Sequence, residues 1–423
     1  MNLLLKSLFL MLFVPAFFVD VLPDRFYRIR HRYPIFLLFQ TGFISTTIYL
    51  ILQDVFPLIS SVSFFNMFSL TLQLDEMNTL FLIWISFSLF ILLLIRQDMD
   101  QRRYLWIIIS LYLLVIAGNT GMMFFASFIY FFVSQLGRKQ QLHVVTYIPT
   151  FLLITAYFLF NMLQEPASLS TPIHEISAVI PVSGSVLYLI LSAYFLMAVI
   201  RLTDIIQGIV SVRHGIIELI ISYFALLFII QRLTGMMLNP QVFLMYWFIS
   251  ASVILFVLMG LLFFECSGKD FFAPFMITFL LVLALIFMNL RFFPVNISVL
   301  HLQNGFITAF PLYVLTIILF QDLFKTLKDD LTRYFSIIIF TMGLLLNPFT
   351  LSGKVYAYTF FTFLHENIFG MVLLILFTLL SILSVAFLLF LTKKGEGKGS
   401  KFPGVMLIMT ILVLMIQELG VLS

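Results

Sequence analysis

This chain is short of charge. Only 10% of its residues are Asp, Glu, Lys or Arg, where a water-soluble domain carries about 25%. No aqueous surface can be built from so few, which excludes an ordinary soluble enzyme or nucleic-acid-binding module. Cysteine is almost absent too. The lone Cys266 excludes an intrachain disulfide and any cysteine-based metal or cluster site, and it reads as an ordinary small residue at a helix end. Phosphate loops of the G-x-x-x-x-G-K-[ST] type, dinucleotide fingerprints, H-E-x-x-H zinc helices and G-x-S-x-G elbows are all missing. The sequence therefore argues for no intrinsic active site, no metal and no cofactor.

What the chain has instead is lipid-compatible sequence. Hydrophobic residues make up 62% of it and the mean hydropathy is +1.14. Apolar runs long enough to cross about 30 Å of hydrocarbon as helices recur from end to end. Helices are expected near 2–20, 33–52, 78–96, 104–118, 121–136, 143–163, 179–201, 215–231, 240–265, 271–290, 299–321, 332–347, 367–392 and 404–420. The fold class is all-α: a polytopic membrane protein of about 14 transmembrane helices, forming a single transmembrane domain over 1–423. The opening MNLLLKSLFLMLFVPAFFV is longer than a signal-peptide core and reads as the first helix. The 53 Phe and 16 Tyr suit lipid-facing packing and interfacial belts.

The few basic residues orient the chain. Arg25, Arg28, Arg30 and Arg32, then Arg96, Arg102 and Arg103, then Arg138 and Lys139, then Lys325, Lys328 and Arg333 all fall on one side. The positive-inside rule makes that side cytoplasmic and puts the N-terminus outside a multi-pass cell-membrane protein. A leftover apolar piece at 355–364 leaves 14 and 15 crossings both open. The run FQDLFKTLKDDLTR, from Phe320 to Arg333, reads as an amphipathic interfacial loop helix.

Four stretches carry a family resemblance. The first is HEISAVIPVSGSVLYLILSAYFLMAVIRL, with His174, Glu175, Pro181, Val182, Ser183 and Arg201-Leu202. The others are LQLDEMNTLFLIWISFSLFILLLI around Asp75, LHLQNGFITAFPLYVL with His301 and Asn304, and GLLLNPFTLSGKVYAYTFF with Pro348, Gly353, Lys354 and Tyr356. In this order they resemble the antiporter-like proton-channel subunits of complex I, membrane-bound hydrogenases and multisubunit cation/proton antiporters. The resemblance implies two discontinuous helices, broken at Pro181 and Pro348, and sister membrane subunits with a redox module beyond them. It also implies a titratable axis: a Glu in the fifth helix, a Lys in the seventh, a Lys in the tenth and a final Lys.

Most of that axis is missing. No Asp or Glu occurs between Tyr104 and Leu163, so the fifth-helix carboxylate has no counterpart. Spacing from Pro181 puts the seventh-helix Lys at or near Ser192, and spacing from His301 puts the tenth-helix Lys at Ala309; only the last Lys survives, as Lys354. A helix within 203–238 is additional to the family pattern. The residues left for an ion or proton pathway are Lys354, Glu218, His301, His174 and Glu175. Each has a structural alternative: Glu218 as a partner of His214 near the interface, His301 as a satisfied polar residue at a helix start, and His174-Glu175 as a solvated or capping pair. Arg201 and Asp204, about one turn apart, are expected to pair.

The resulting expectation is a degenerate antiporter-like subunit of a proton- or cation-translocating complex, with a reduced ion pathway or a structural role. The alternative is a stand-alone transporter or flippase for a lipid-linked or small polar substrate.

Overall fold

The computed structural model describes residues 33–52, 58–64, 68–95, 101–135, 144–163, 184–234, 242–265, 272–289 and 297–324, together with Lys354. Among them the expected helices recur in the expected order. They are α1 (Tyr33–Leu52), α2 (Glu76–Ile95), α3 (Gln101–Val115), α4 (Thr120–Gln135), α5 (Ile148–Leu163, after a turn of tight helix at Val144–Tyr147), α6 (Gly184–Ile206), α7 (Val212–Thr234), α8 (Val242–Glu265), α9 (Phe272–Met288) and α10 (Ile297–Phe324). Six described helices are long and apolar enough to cross a bilayer, and the chain is a polytopic helical membrane protein. The helices expected at 2–20, 332–347, 367–392 and 404–420, the piece at 355–364, Cys266 and the breaks at Pro181 and Pro348 lie outside the described residues.

One element is added to the helical fold. Strands β1 (Leu58–Phe64) and β2 (Phe68–Leu74) form an antiparallel hairpin in register from Leu58↔Leu74 to Phe64↔Phe68. LISSVSF and FSLTLQL mix β-branched and hydroxyl residues with alternating character, a period-two pattern that a helix cannot use.

The free edge of β2 does structural work at the break between α3 and α4. There the chain leaves helical geometry, and Leu72 and Ala117 form a bridge. Gln73 N–H donates to the Ile116 carbonyl at 2.8 Å and Gly118 N–H to the Thr71 carbonyl at 2.7 Å. Main-chain groups freed by a helix break inside a membrane protein need partners; the strand supplies them. Asn119 then caps α4, its Oδ1 accepting from Met122 N–H at 2.9 Å and from Thr71 N–H at 3.3 Å. A side chain at Gly118 would force a shift here, because a Cβ would come within 2.8 Å of the Gln73 Cβ.

Packing divides the chain into two compact units, one of residues 1–198 and 224–239, the other of 199–223 and 240–423. In the first, α1 lies along α2, with Gly42 against Ser86, and α4 packs against α3 and α5. In the second, α9 packs against both α8 and α10. Helix α6 runs past Arg201 to Ile206, where Gly208 at φ 66° closes it. Ile209 N–H returns to the Asp204 carbonyl and Gly208 N–H to the Ile205 carbonyl, the Schellman pattern that glycine permits. The short turn returns the start of α7 to the end of α6, and Gly215 lets the two approach at Ile205.

Helix α7 is buried all round: every residue from Gly215 to Leu233 is shielded. Helix α5 is the opposite, with Phe151, Phe158 and Met162 exposed.

Candidate ion pathway

Two ion pairs, one buried and one part-buried, sit towards opposite ends of α7. At its start, Glu218 Oε2 accepts from Arg201 Nη1 of α6 at 2.8 Å, with 4% and 9% of the two side chains exposed. Each residue lies about 8–9 Å inside its helix end, and the tight α6–α7 turn brings them level. Sequence reasoning weighed Arg201 with Asp204, and Glu218 either as a buried carboxylate or as a partner of His214. The structure buries Glu218 and pairs it with Arg201 across the α6–α7 turn. Spacing along one helix cannot reveal a partner on the next.

About 21 Å further along α7, Arg232 Nη1 donates to Asp75 Oδ2 at 2.9 Å and its Nη2 to the Ala117 carbonyl at 3.0 Å. Asp75 is also the cap of α2, its Oδ1 accepting from Asn78 N–H at 2.8 Å. One guanidinium therefore ties together α7, the β2–α2 junction and the α3–α4 break. Sequence reading missed Arg232, since a lone Arg closing an apolar run looks like an interfacial anchor. The signal was available in Asp75, which with Glu76 puts charge at the head of an apolar run.

Within each unit, helices are also joined by neutral hydroxyl pairs. Tyr112 of α3 meets Ser86 of α2 at 2.7 Å, Tyr194 of α6 donates to Ser127 of α4 at 2.6 Å, and Tyr223 of α7 meets Thr278 of α9 at 2.9 Å. Each Ser or Thr spends its own proton on the carbonyl four residues back, at Leu82, Met123 and Pro274 respectively. The tyrosine must then be the donor in all three, since a hydroxyl carries one proton. All three tyrosines are at most 1% exposed. Tyr130 stacks on Tyr194 with ring centroids 6.0 Å apart.

The remaining candidates fall out as follows. Lys354 is helical and half-buried. His301 lies in the second turn of α10, its side chain outside the described residues; His174 and Glu175 lie outside them altogether. The expected seventh-helix position, Ser192, is partly exposed on α6, and the expected tenth-helix position, Ala309, is fully buried on α10. Two residues beyond Ala309 the helix contains Pro311, which denies a main-chain proton to the carbonyl of residue 307. Thr308 Oγ1 donates to the Asn304 carbonyl at 2.6 Å one turn earlier. Among the described residues, no group of three or more His, Cys, Asp or Glu side chains is placed to hold a metal ion.

No protein-family model matches the chain, and no curated protein sequence matches it. Solved structures do. A chain of the membrane-bound sulfane sulfur reductase (MBS), an archaeal respiratory membrane complex, superposes with a TM-score of 0.71 at 12% identity, over 99% of this chain and 95% of that one. A chain of the Mrp complex from Dietzia sp. gives 0.73 at 13% identity, over 97% of this chain, which spans half the length of that one. A chain of respiratory complex I from Thermus thermophilus gives 0.63 at 14% identity, over 97% and 95%. The protein shares its fold with a membrane-complex chain from each of these three assemblies.

Proposed function

We propose that this chain is an antiporter-like membrane subunit of a proton- or cation-translocating complex, with a degenerate central relay and a structural, non-conducting role. One observation carries the reading. Helix α4 is the fifth helix of the sequence count and α6 the seventh, where the resemblance implies a Glu and a Lys; here Ser127 and Tyr194 join the same two helices by a neutral bond. A relay amine works because burial moves its pKa toward the working pH and a neighbouring carboxylate moves it back. Serine does not titrate in that range, and an ordinary tyrosine does so only near 10. Tyr194 and Ser127 hold the helices together without passing a proton.

Whole-chain likeness to three membrane-complex subunits supports the architecture. In this reading the chain is a single transmembrane domain of about fourteen spans, broken at Pro181 and Pro348, in the cell membrane, N-terminus outside. Its partners are sister membrane subunits and, through them, a redox module; it carries no cofactor of its own. Glu218 is neutralised by Arg201, so Lys354, with His301, His174 and Glu175, is what remains of a pathway.

Two measurements test this. Purification in mild detergent should bring down stoichiometric membrane subunits; a lone chain would favour the stand-alone transporter or flippase. Proton flux into proteoliposomes should equal the empty-vesicle leak for both the native chain and Lys354→Ala. Flux that is present natively and lost in Lys354→Ala would replace the structural role with a reduced half-channel.

A further inference from the structure

The junction around Asp75 contains buried polar atoms that the protein itself does not satisfy. Asn78, one turn into α2, is fully buried, yet neither its Oδ1 nor its Nδ2 has a hydrogen-bond partner. Arg232, 4% exposed, uses Nη1 on Asp75 and Nη2 on Ala117, while its Nε has no acceptor. Both residues are bonded to one carboxylate. The Asp75 carboxylate accepts from Asn78 N–H on one oxygen at 2.8 Å and from Arg232 on the other at 2.9 Å, so it holds both residues as neighbours. Immediately below, Phe81 stacks on Phe228 with centroids 5.4 Å apart and meets Phe224 edge-on, sealing the junction from the apolar length of α2 and α7.

Buried amide and guanidinium atoms are rarely left without partners, and the usual remedy is ordered water making two to four hydrogen bonds. We infer that Asn78, Arg232 and Asp75 form a binding site for a small neutral hydrogen-bonding occupant, water, at the β2–α2 junction. The charges select that class. Asp75 and Arg232 cancel, so an anion would meet no net positive charge, and a metal cation would face the guanidinium. The open positions are a mixture: an acceptor at Asn78 Oδ1, donors at Asn78 Nδ2 and Arg232 Nε. Water, with two donors and two acceptors, answers all of them, and roughly one or two molecules suffice. The Asp75 side chain is 30% exposed, which gives such water a route of exchange. The site is thus a hydrated junction at the start of α2, and the inference holds whether or not the chain conducts ions.

Hydroxyl-radical footprinting of the full chain in lipid nanodiscs, read by mass spectrometry, tests it. Met77 Sδ lies 2.9 Å from Gln231 Nε2 beside the site. Met122 and Met123, 1% and 2% exposed on α4, are dry references. Water held at the site generates radicals in place, so Met77 oxidises several-fold faster than the references. Asn78→Leu, which removes both amide atoms at similar volume, brings Met77 down to their rate. Equal rates in the native chain would overturn the inference. So would a fast Met77 rate that Asn78→Leu leaves unchanged, because the label would then come from bulk solvent. Should Asn78→Leu not fold, Asn78→Ser takes its place: it keeps a donor and an acceptor, so fast Met77 labelling persists if the site is hydrated, and its loss counts against the site.

Discussion

Arg201 and Glu218 meet at 2.8 Å because the tight turn at Gly208 returns the start of α7 to the end of α6 and sets the two residues level. Breaking such a buried pair from one side strands a charge in an apolar bundle and costs about 3–5 kcal/mol, whereas replacing both members with apolar residues is often neutral. Glu218→Leu should therefore destabilise the protein strongly, and Arg201→Met with Glu218→Leu should recover most of the loss. Reversible unfolding in mixed micelles measures both; equal losses in the single and double variants would refute the pairing.

The Tyr194–Ser127 bond is asymmetric, and the asymmetry is measurable. In Tyr194→Phe, Ser127 still donates to the Met123 carbonyl and nothing is orphaned, so the loss should be about 1 kcal/mol. In Ser127→Ala the tyrosine hydroxyl is stranded in the core, and the loss should approach about 2–3 kcal/mol. The reverse order would mean that the donor assignment is wrong.

Restoring charge to the same helix pair should restore chemistry if the scaffold retains a path. Ser127→Glu combined with Tyr194→Lys is expected to raise proteoliposome proton flux above that of the native chain, while either change alone should mainly lower stability. No flux from a folded double variant would show that the route is closed elsewhere as well.

Glycines separate by environment. Gly118→Ala forces a Cβ to 2.8 Å from Gln73 and 3.0 Å from the Thr71 carbonyl, which should cost about 1–3 kcal/mol and loosen the strand from the α3–α4 break. Gly260→Ala, in open space on α8, should stabilise by about 0.5–1 kcal/mol. Thermal unfolding of the two variants should move in opposite directions.

Helix positions were legible because the period and length of apolar runs follow from bilayer thickness, and α1 through α10 fall within a few residues of their expected places. The hairpin at 58–74 was not, since its pattern is short and lies between two strong helical runs. Burial was not legible either. Lipid tails are as apolar as leucine, so α7, buried throughout, and α5, largely exposed, look alike as sequences. The site was half legible: Glu218 was singled out as a charge inside an apolar run, but Arg201 as its partner needed the α6–α7 turn. Asp75 and Arg232 stand 157 positions apart, and no local pattern links them.

Complete enclosure of α7 bears on how the protein is made. Tyr223 needs Thr278, synthesised 55 residues later, so the nascent chain must park this helix in lipid, with Glu218 and Arg201 already neutralising each other, until its later neighbours arrive. The ion pair then acts first as a passport through the insertion machinery and only afterwards as a rivet, and damage to it should show as rapid degradation of newly made chains before any defect in the mature assembly.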